Sequence, residues 1–478
     1  MSISERDIKE IIEEVVKKVA VTDKYTSSSV MTPNIPSSNG ATVGKGIFVS
    51  MEDAVNAAFY AQKDYVQVSV EKRKEIITAV RKKMLDYCEE LSKEAVAESG
   101  IGRVPDRIQK TLLAINKTPG VEDIEPYAYT GDKGMTLVEA APFGLIASIT
   151  PTTNPVETII NNTISMISGG NSVVYNPHPR AKKVCCKAIS LINEAIVSVG
   201  GPANLITTVE SPTIETGTFM MKHPKVRLIV VTGGPGVVKA AFDCGKKVIA
   251  AGPGNPPVVV DETADIRQAA KDIVDGASFD NNVLCIAEKE VVAVKEIYRQ
   301  LVDEMQKHGA YLLTEEGQKR LAGIILTQDG HVNSKFVGKD ASYILKQIDI
   351  NVSDDIRLII AETDSKHPFA VEELLMPVIP IIRADNVDEA IEMAYELEHN
   401  HFHTAMMHSK NVENLHKMAK RSNVSIFVKN APSYAGLGFN GEGPTTFTIS
   451  SPTGEGITTA RTFTRMRRCV LAGYFRIV

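Results

Sequence analysis

Short apolar strands alternate with helical segments through most of this chain, and this alternation constrains the fold more than any other feature. The strand-like segments GLIASIT, NSVVY, LITTV and VRLIVV are rich in β-branched residues, and the helical patterns NTISMISG and RAKKVCCKAISLINEAIVSVG lie among them. Because parallel strands need a crossover, usually a helix, this order predicts an α/β fold with a doubly wound sheet. A second run of this kind, ending at SIFVKN, predicts a second doubly wound α/β domain over about residues 252–450.

The first 45 residues have a different character. Residues 1–20 carry an apolar stripe with the spacing of an amphipathic helix, formed by Ile8, Ile11, Ile12, Val15, Val16 and Val19. Residues 21–45 are rich in Ser, Thr, Pro and Gly and are predicted to form a flexible linker. A short tethered helix cannot bury its stripe alone. It docks on its own body, on another subunit or on a separate partner, and the residues alone leave these possibilities open.

Two β-prone segments lie outside the two α/β runs. YAYTGDKGMTLVEAAPFG places a polar glycine turn between β-prone residues, which predicts a hairpin near residues 125–141, outside the main sheet. Residues 451–478 end in β-prone residues, which predicts strands that extend a sheet, within the subunit or across a subunit boundary.

Composition excludes disordered and fibrous classes of protein. At 478 residues the chain is too long for one ordinary domain, and 43% hydrophobic and 23% charged residues are typical of globular proteins. A net charge of −5 without a long run of one sign predicts no nucleic-acid partner. No apolar stretch reaches the roughly 18 residues that span a bilayer, so no membrane partner is expected. The six cysteines form no Cys-x-x-Cys pair, which favours a reduced, cytoplasmic setting.

Two residues stand where α/β proteins usually bind ligands. Cys285 lies between a helix that ends near Ser278 and a strand that begins near Glu290, so its thiol faces the crevice between domains. Asn154 follows the strand GLIASIT between two prolines, where its amide can donate to a developing oxyanion. Each has a plainer interpretation, because free cysteines are commonly small buried hydrophobes and asparagines are common in turns. Spacing alone does not separate these interpretations.

Two glycine turns and a group of histidines are weaker signals. VTGGPGVV opens a helix after a strand, which suits a phosphate, but it departs from the Gly-x-Gly-x-x-Gly pattern. AAGPGNPPVVVD is a second glycine-rich turn. Four histidines lack carboxylates at ligand-like spacing, so packing or solvated roles are favoured and no metal site is expected; they are His399, His401, His403 and His408.

Taken in order, these segments resemble the aldehyde dehydrogenase superfamily. The resemblance is carried by TPTTNP, INNTISMISGGNSVVYNPHP, VTGG, GNPPVVVDETAD, GASFDNN and HPFAVEELLMPV, among others, and extends from about residue 46 to the C-terminus. The closer similarity is to the CoA-acylating branch found in ethanolamine- and propanediol-utilising bacterial microcompartments. It implies a dinucleotide-binding domain over 46–251, a catalytic domain over 252–450 and oligomerisation strands over 451–478.

The resemblance also implies roles for residues at matching positions. Cys285 is the implied nucleophile, Asn154 the implied oxyanion donor, and Glu373 stands where the family binds the nicotinamide ribose. The implied cofactor is NAD, with coenzyme A as cosubstrate, and NADP stays open because no carboxylate is evident after the segment NPH. The other implied cofactor-binding residues are Pro151, Thr152, Thr232, Gly233 and Gly234.

The most informative position is Ala251. Hydrolytic relatives carry a glutamate there that activates water, and a methyl group cannot act as a base. The resemblance therefore implies that a thioester on Cys285 waits for the thiol of CoA, so that acetaldehyde or propionaldehyde becomes acyl-CoA. A thiol is only a few per cent ionised at neutral pH, so we expect a local positive field to lower its pKa. The alternatives are a hydrolytic aldehyde dehydrogenase and a non-catalytic scaffold that binds a microcompartment shell.

Partners and location follow from the same resemblance. In microcompartment enzymes a tethered amphipathic helix directs the cargo to the shell, so residues 1–20 are expected to bind a shell protein. The hairpin and the C-terminal strands match oligomerisation elements, which implies a homodimer or homotetramer. The expected location is the cytoplasm, inside a bacterial microcompartment.

Overall fold

Two parallel sheets organise residues 45–478, the part of the chain that the computed structural model describes. The predicted helix of residues 1–20 lies outside the described residues, as does the predicted linker apart from Lys45. No helix among residues 45–478 is long and apolar enough to cross a membrane.

The strands and helices of this region are numbered here in chain order. The strands are β1 (Ile47–Phe48), β2 (Tyr127–Gly131), β3 (Gly134–Pro142), β4 (Leu145–Thr150), β5 (Ser172–Pro177), β6 (Ile206–Val209), β7 (Val226–Thr232), β8 (Lys247–Ala251), β9 (Pro257–Val260), β10 (Glu290–Val294), β11 (Ala310–Leu312), β12 (Leu358–Thr363), β13 (Val378–Ala384), β14 (Thr404–His408), β15 (Ile426–Lys429), β16 (Ile449–Ser450), β17 (Gly456–Ile457) and β18 (Thr464–Ala472). The α-helices are α1 (Met51–Tyr65), α2 (Val70–Asp86), α3 (Cys88–Ser99), α4 (Val104–Lys117), α5 (Pro155–Ser168), α6 (Lys182–Ser198), α7 (Ile214–Lys222), α8 (Pro235–Phe242), α9 (Ile266–Ser278), α10 (Tyr298–Lys307), α11 (Glu315–Ile325), α12 (Ala341–Lys346), α13 (Pro368–Val371), α14 (Val387–Leu397) and α15 (Val412–Ser422).

The first sheet contains six parallel strands in the order β1-β6-β5-β4-β7-β8. Successive side chains of a strand point to opposite faces, and helices cover both faces here. Ile146 packs with residues of α5 and α6, whereas its neighbour Ala147 packs with residues of α1 and α7. This arrangement confirms the doubly wound α/β prediction, and it explains why these strands are apolar at almost every position.

The second sheet contains seven parallel strands in the order β11-β12-β13-β10-β9-β14-β15. All residues of β9 and β10 are buried at its centre. Ile360 belongs to the large core that reaches the first sheet, and Ile359 packs on the opposite face with residues of α11 and α12.

A third, antiparallel sheet has the order β18-β3-β2. The hairpin β2–β3 turns at residues 131–134, and β18 pairs with β3 along its whole length, from Thr464 opposite Pro142 to Ala472 opposite Gly134. Most residues of β2 and β18 are exposed. This sheet therefore contributes little to the core of the subunit.

Sequence patterns missed the short strands β8 and β11. The β8 segment KVIAA is five residues long, and its last two residues were assigned to the following glycine turn. So short an apolar run carries no measurable period, and only its pairing with β7 identifies it as a strand.

Candidate active site

Cys285 follows a turn with an unusual backbone. Asp280, Asn281 and Asn282 all have left-handed φ values, of 47°, 56° and 64°. Asp and Asn tolerate this region better than other residues with a β-carbon, but each such position costs of the order of 1 kcal/mol. Side-chain hydrogen bonds hold the turn, among them Asn281 Nδ2 to Gly338 O at 3.0 Å and Asn282 Nδ2 to Ala277 O at 2.8 Å.

The Cys285 thiol lies in a tight, largely apolar environment. A β-carbon on Gly254 would lie 2.9 Å from the Cys285 carbonyl oxygen, so only glycine fits at position 254. Burial raises the pKa of the Cys285 thiol to about 12; the carboxylate of Glu373 raises it further, and Lys289 and Lys110 act in the opposite direction. The expectation of a lowered pKa was therefore wrong for the free enzyme, because desolvation of the thiolate outweighs both ammonium groups.

Asn154 stands at the carboxyl end of β4, directly before α5, where Pro155 starts the helix. Its side chain is 7% exposed, and its Oδ1 accepts a hydrogen bond of 2.5 Å from Lys110 Nζ. Its Nδ2 donates only a long hydrogen bond, of 3.4 Å, to Thr153 Oγ1 among the described residues. The amide therefore has its N–H group available for an acceptor such as an oxyanion.

Glu373 lies just after α13 and close to Cys285. Its carboxylate accepts a hydrogen bond from the main-chain N–H of Gly254. Its negative charge acts to raise the pKa of both Cys285 and Lys289. Burial raises the pKa of Glu373, while Lys289 and the Gly254 N–H lower it. The structure thus brings Glu373 and Cys285 together, although 88 positions separate them in the sequence.

The predicted phosphate turn lies at the carboxyl edge of the first sheet. Thr232 ends β7, and Gly233 N–H donates to Ala251 O at 3.3 Å. Gly234 is the N-cap residue directly before α8, which has no side-chain cap. Uncapped N–H groups at a helix N-terminus favour an anion such as a pyrophosphate. Because β7 pairs with β4, Pro151 and Thr152 follow the neighbouring strand at the same edge. Thr152 Oγ1 is buried and has no hydrogen-bond partner in the described part of the chain. These groups suit a dinucleotide.

His403 lies at the candidate site around Cys285, although the sequence pattern did not indicate it. Its side chain is 1% exposed, and a β-carbon on Gly254 would lie 3.0 Å from its Cγ, so the ring lies beside the Cys285 loop. Nδ1 is 2.9 Å from Thr404 Oγ1, whereas Nε2 has no partner among residues 45–478. Burial lowers the pKa of His403 to about 3, so the ring is neutral at pH 7. Packing or solvated roles were favoured for this histidine because no carboxylate stands at ligand-like spacing from it. The residues that surround it in the site are far away in the sequence.

A cavity of about 560 Å³ lies between α4 and residues 438–442. It shares Gln109, Leu113 and Phe439 with a narrow apolar neck that also contacts Leu284, the residue before Cys285. Three aromatic rings surround the neck, with centroid distances of 5.1 to 5.7 Å; they are Phe279, Tyr434 and Phe439. A small apolar group fits such a neck better than a bulky one.

Comparison with known proteins gives a consistent result. The aldehyde dehydrogenase family profile matches residues 21–322. The acetaldehyde dehydrogenase (acetylating) EutE of Salmonella typhimurium is 48% identical over 473 residues, which cover 98% of this chain and 99% of the relative. A propionaldehyde dehydrogenase of Rhodopseudomonas palustris, solved with bound CoA and an acylated cysteine, is 50% identical, with a TM-score of 0.89 over 90% of this chain and 99% of that chain.

A third relative comes from a microcompartment. The propionaldehyde dehydrogenase of the Clostridium phytofermentans fucose-utilisation microcompartment is 50% identical, with a TM-score of 0.89 over 91% of this chain and 100% of that chain. Variants of that enzyme were solved with one cysteine or one histidine replaced, and these two positions are as far apart in sequence as Cys285 and His403. Another similar structure holds NADP⁺, so acylating enzymes of this kind use NAD(P) and CoA. The resemblance to acylating enzymes is thereby confirmed, and the chain belongs to the aldehyde dehydrogenase family.

Proposed function

We propose that this protein converts a short-chain aldehyde, acetaldehyde or propionaldehyde, into its acyl-CoA through a thioester on Cys285. The observation that carries the proposal is the combination of a cysteine and an available amide N–H, both close to Lys110, with alanine at position 251. Ala251 ends β8 and is 4% exposed, and it stands where hydrolytic relatives carry the glutamate that activates water. Water attack on the thioester is therefore slow, and a second thiol removes the acyl group.

The first half of the reaction uses Cys285 and Asn154. The Cys285 thiol first gives up its proton to water. The sulfur then adds to the aldehyde carbon, and the electron pair of the carbonyl bond moves to oxygen, where Asn154 Nδ2 donates a hydrogen bond. When bound, the nicotinamide ring supplies a hydride acceptor at this carbon. Residues that would hold the cofactor are Glu373 at the ribose and the segments 151–152 and 232–234 at the phosphates.

The second half of the reaction transfers the acyl group. The sulfur of CoA attacks the thioester carbon, and Cys285 leaves as a thiolate. His403 is neutral, and its Nε2 has no partner among residues 45–478, so it relays the proton of the incoming thiol to the Cys285 thiolate, whose raised pKa favours protonation. The apolar neck beside Leu284 limits the aldehyde to a short chain, although one methylene changes binding by only about 1–3 kcal/mol.

The test is NADH formation from acetaldehyde and propionaldehyde, with and without CoA, together with mass spectrometry of the products. We expect sustained NADH formation and acyl-CoA only when CoA is present, and none with Cys285→Ala. Equal rates of free-acid formation without CoA would identify a hydrolytic enzyme. Absence of NADH under every condition would favour the scaffold alternative.

We further propose that residues 1–20 bind a microcompartment shell protein and that the enzyme works in the cytoplasm, inside such a compartment. The proposal is supported by the apolar stripe of this segment and by the microcompartment origin of one relative. Fusing residues 1–20 to a fluorescent protein should direct it to purified shells. A fusion with Ile11, Val15 and Val19 replaced by serine is the matched control. Equal recruitment of both fusions would refute the proposal.

We also propose a homodimer or homotetramer formed through the β18-β3-β2 sheet. Tyr129 is 59% exposed and Val470 65% exposed on this sheet, an apolar exposure that a partner subunit would cover. Light scattering should give a multiple of the subunit mass, and Val470→Glu should reduce it. A monomer at micromolar concentration would contradict this proposal.

A further inference from the structure

The amide of Asn154 is held by an ammonium group. Lys110 is 1% exposed, and its Nζ donates to Asn154 Oδ1 at 2.5 Å. A lysine has donors and no acceptor, so the atom of Asn154 that faces it must be the carbonyl oxygen. The N–H group of Asn154 is therefore turned away from Lys110.

The same ammonium group reaches the turn before the nucleophile. Lys110 Nζ lies 2.5 Å from Asp280 Oδ2, and Asp280 is the first of the three left-handed residues that precede Cys285. Arg107 makes a parallel connection, since it lies 3.3 Å from Asp280 and donates to Thr153 O at 2.6 Å. Arg107 and Lys110 thus join the strand end that carries Asn154 to the loop that carries Cys285.

A purely structural role does not explain this arrangement well. Burial lowers the pKa of Lys110 and Arg107 lowers it further, and together they outweigh the opposite effect of the Asp280 and Glu157 carboxylates, so a charged amine is costly at this position. Buried ion pairs contribute little net stability compared with apolar residues of the same size. A cation hydrogen-bonded to an amide oxygen, however, draws electron density from the amide and makes its N–H a stronger donor.

We propose that Lys110 is a positioning residue for the oxyanion step: it fixes the orientation of the Asn154 amide and strengthens the Nδ2 donor. This inference rests on the proposed function, because the oxyanion forms when Cys285 adds to an aldehyde. Without Lys110 the Asn154 amide can rotate so that its carbonyl oxygen, and not its N–H group, faces the oxyanion. The two oxygens then repel each other.

The test is a double-mutant cycle on the rate at which Cys285 becomes acylated, measured as a single turnover with aldehyde and NAD⁺ in the absence of CoA. Asn154→Ala should slow acylation about 100- to 1000-fold, and Lys110→Met about 10- to 100-fold. In the Asn154→Ala background, Lys110→Met should have an effect at least about fivefold smaller, because the group it acts through is absent. An equal effect in both backgrounds, or no effect in the native background, overturns the inference.

Two further measurements separate positioning from damage to the fold. Alkylation of Cys285 by iodoacetamide forms no oxyanion, and Lys110 makes the smallest of the contributions to the pKa of the Cys285 thiol. Lys110→Met should therefore change the alkylation rate much less than the acylation rate; an equal loss of both overturns the inference. If Lys110→Met does not fold, Lys110→Gln takes its place in the cycle. It keeps a donor but loses the charge, so acylation should slow by a smaller factor, about 3- to 10-fold; an equal effect in the Asn154→Ala background, or no effect in the native background, overturns the inference. If the native enzyme forms no acyl adduct, the proposed function fails; if it does and the cycle is additive, only the role of Lys110 fails.

Discussion

The ammonium group of Lys289 donates to both oxygens of Asn282, at 2.9 Å to the main-chain oxygen and 2.5 Å to the side-chain oxygen. Lys289 is 4% exposed, so this contact is shielded from water. It closes the loop that contains Cys285 by binding the last of three left-handed residues. Because those residues are strained, the loop depends on such contacts to keep its shape.

Lys289→Met should loosen the Cys285 loop and lower the stability of the protein. The substitution leaves both oxygens of Asn282 buried without a donor, which costs about 2–5 kcal/mol in the free energy of unfolding. We expect a loss of at least about tenfold in kcat/KM for the aldehyde as well. Denaturant unfolding and NADH formation are the measurements. Lys295→Met is the control, since Lys295 is 50% exposed and its ion pair with Asp385 is long at 3.8 Å; an equal effect of both substitutions would contradict the role of Lys289.

Alkylation of Cys285 should depend steeply on pH. Iodoacetamide reacts with the thiolate, and burial raises the pKa of this thiol to about 12, so the protonated form dominates at neutral pH. In the free enzyme the rate should rise about tenfold per pH unit between about pH 7 and pH 9.5, without a plateau. Cys285→Ala supplies the background from the other cysteines. A rate that levels off before about pH 9.5 would mean that the thiol has an ordinary or lowered pKa.

Ala251→Glu should introduce hydrolysis. A carboxylate at the end of β8 supplies the general base that this chain lacks, which typically accelerates a step by about 10²–10⁴-fold. We expect free acid to form in the absence of CoA, at the expense of acyl-CoA in its presence. Ala251→Gln has nearly the same shape and no basic group, and it should leave product partition unchanged. Identical acid formation by both variants and the native enzyme would show that position 251 does not control the choice between water and thiol.

His403→Ala should slow acyl transfer more than acylation. The rapid formation of the first equivalent of NADH should persist, because His403 acts only on the incoming thiol. The steady-state rate with CoA should fall by about 10²-fold or more. The exposed His416 offers a matched substitution, His416→Ala, which should alter neither phase. Equal loss in the first turnover and the steady state would assign His403 to an earlier step.

The fold class could be predicted from this sequence because most strands of the first sheet are short, largely apolar and followed by a helix. Ile146 and Ala147 pack on opposite faces, so both faces are buried, and a largely apolar run is typical of a strand in a parallel sheet. The short strands β8 and β11 have too few residues to show a pattern of their own.

Cys285 and Asn154 could be selected as candidates because strand ends are where such folds bind ligands. Lys110 and Lys289 could not, since a lysine in a helix or after a loop is normally a solvated residue. Their burial depends on partners such as Asp280, which is 170 positions from Lys110 in the chain. The sequence around Lys110 gives no indication of that contact. The predicted direction of the shift in the pKa of the Cys285 thiol was wrong for a related reason. Desolvation depends on packing, which only the folded structure specifies.

Intact-protein mass spectrometry of the enzyme with aldehyde and NAD⁺ tests the central claim most directly. In the absence of CoA, we predict a stable mass increase equal to one acyl group, located on Cys285 by peptide mapping and lost within one turnover when CoA is added. The Ala251→Glu variant should lose the same adduct without CoA. An unmodified protein mass after NADH has formed, or full activity of Cys285→Ser, would contradict the thioester on which the proposed reaction depends.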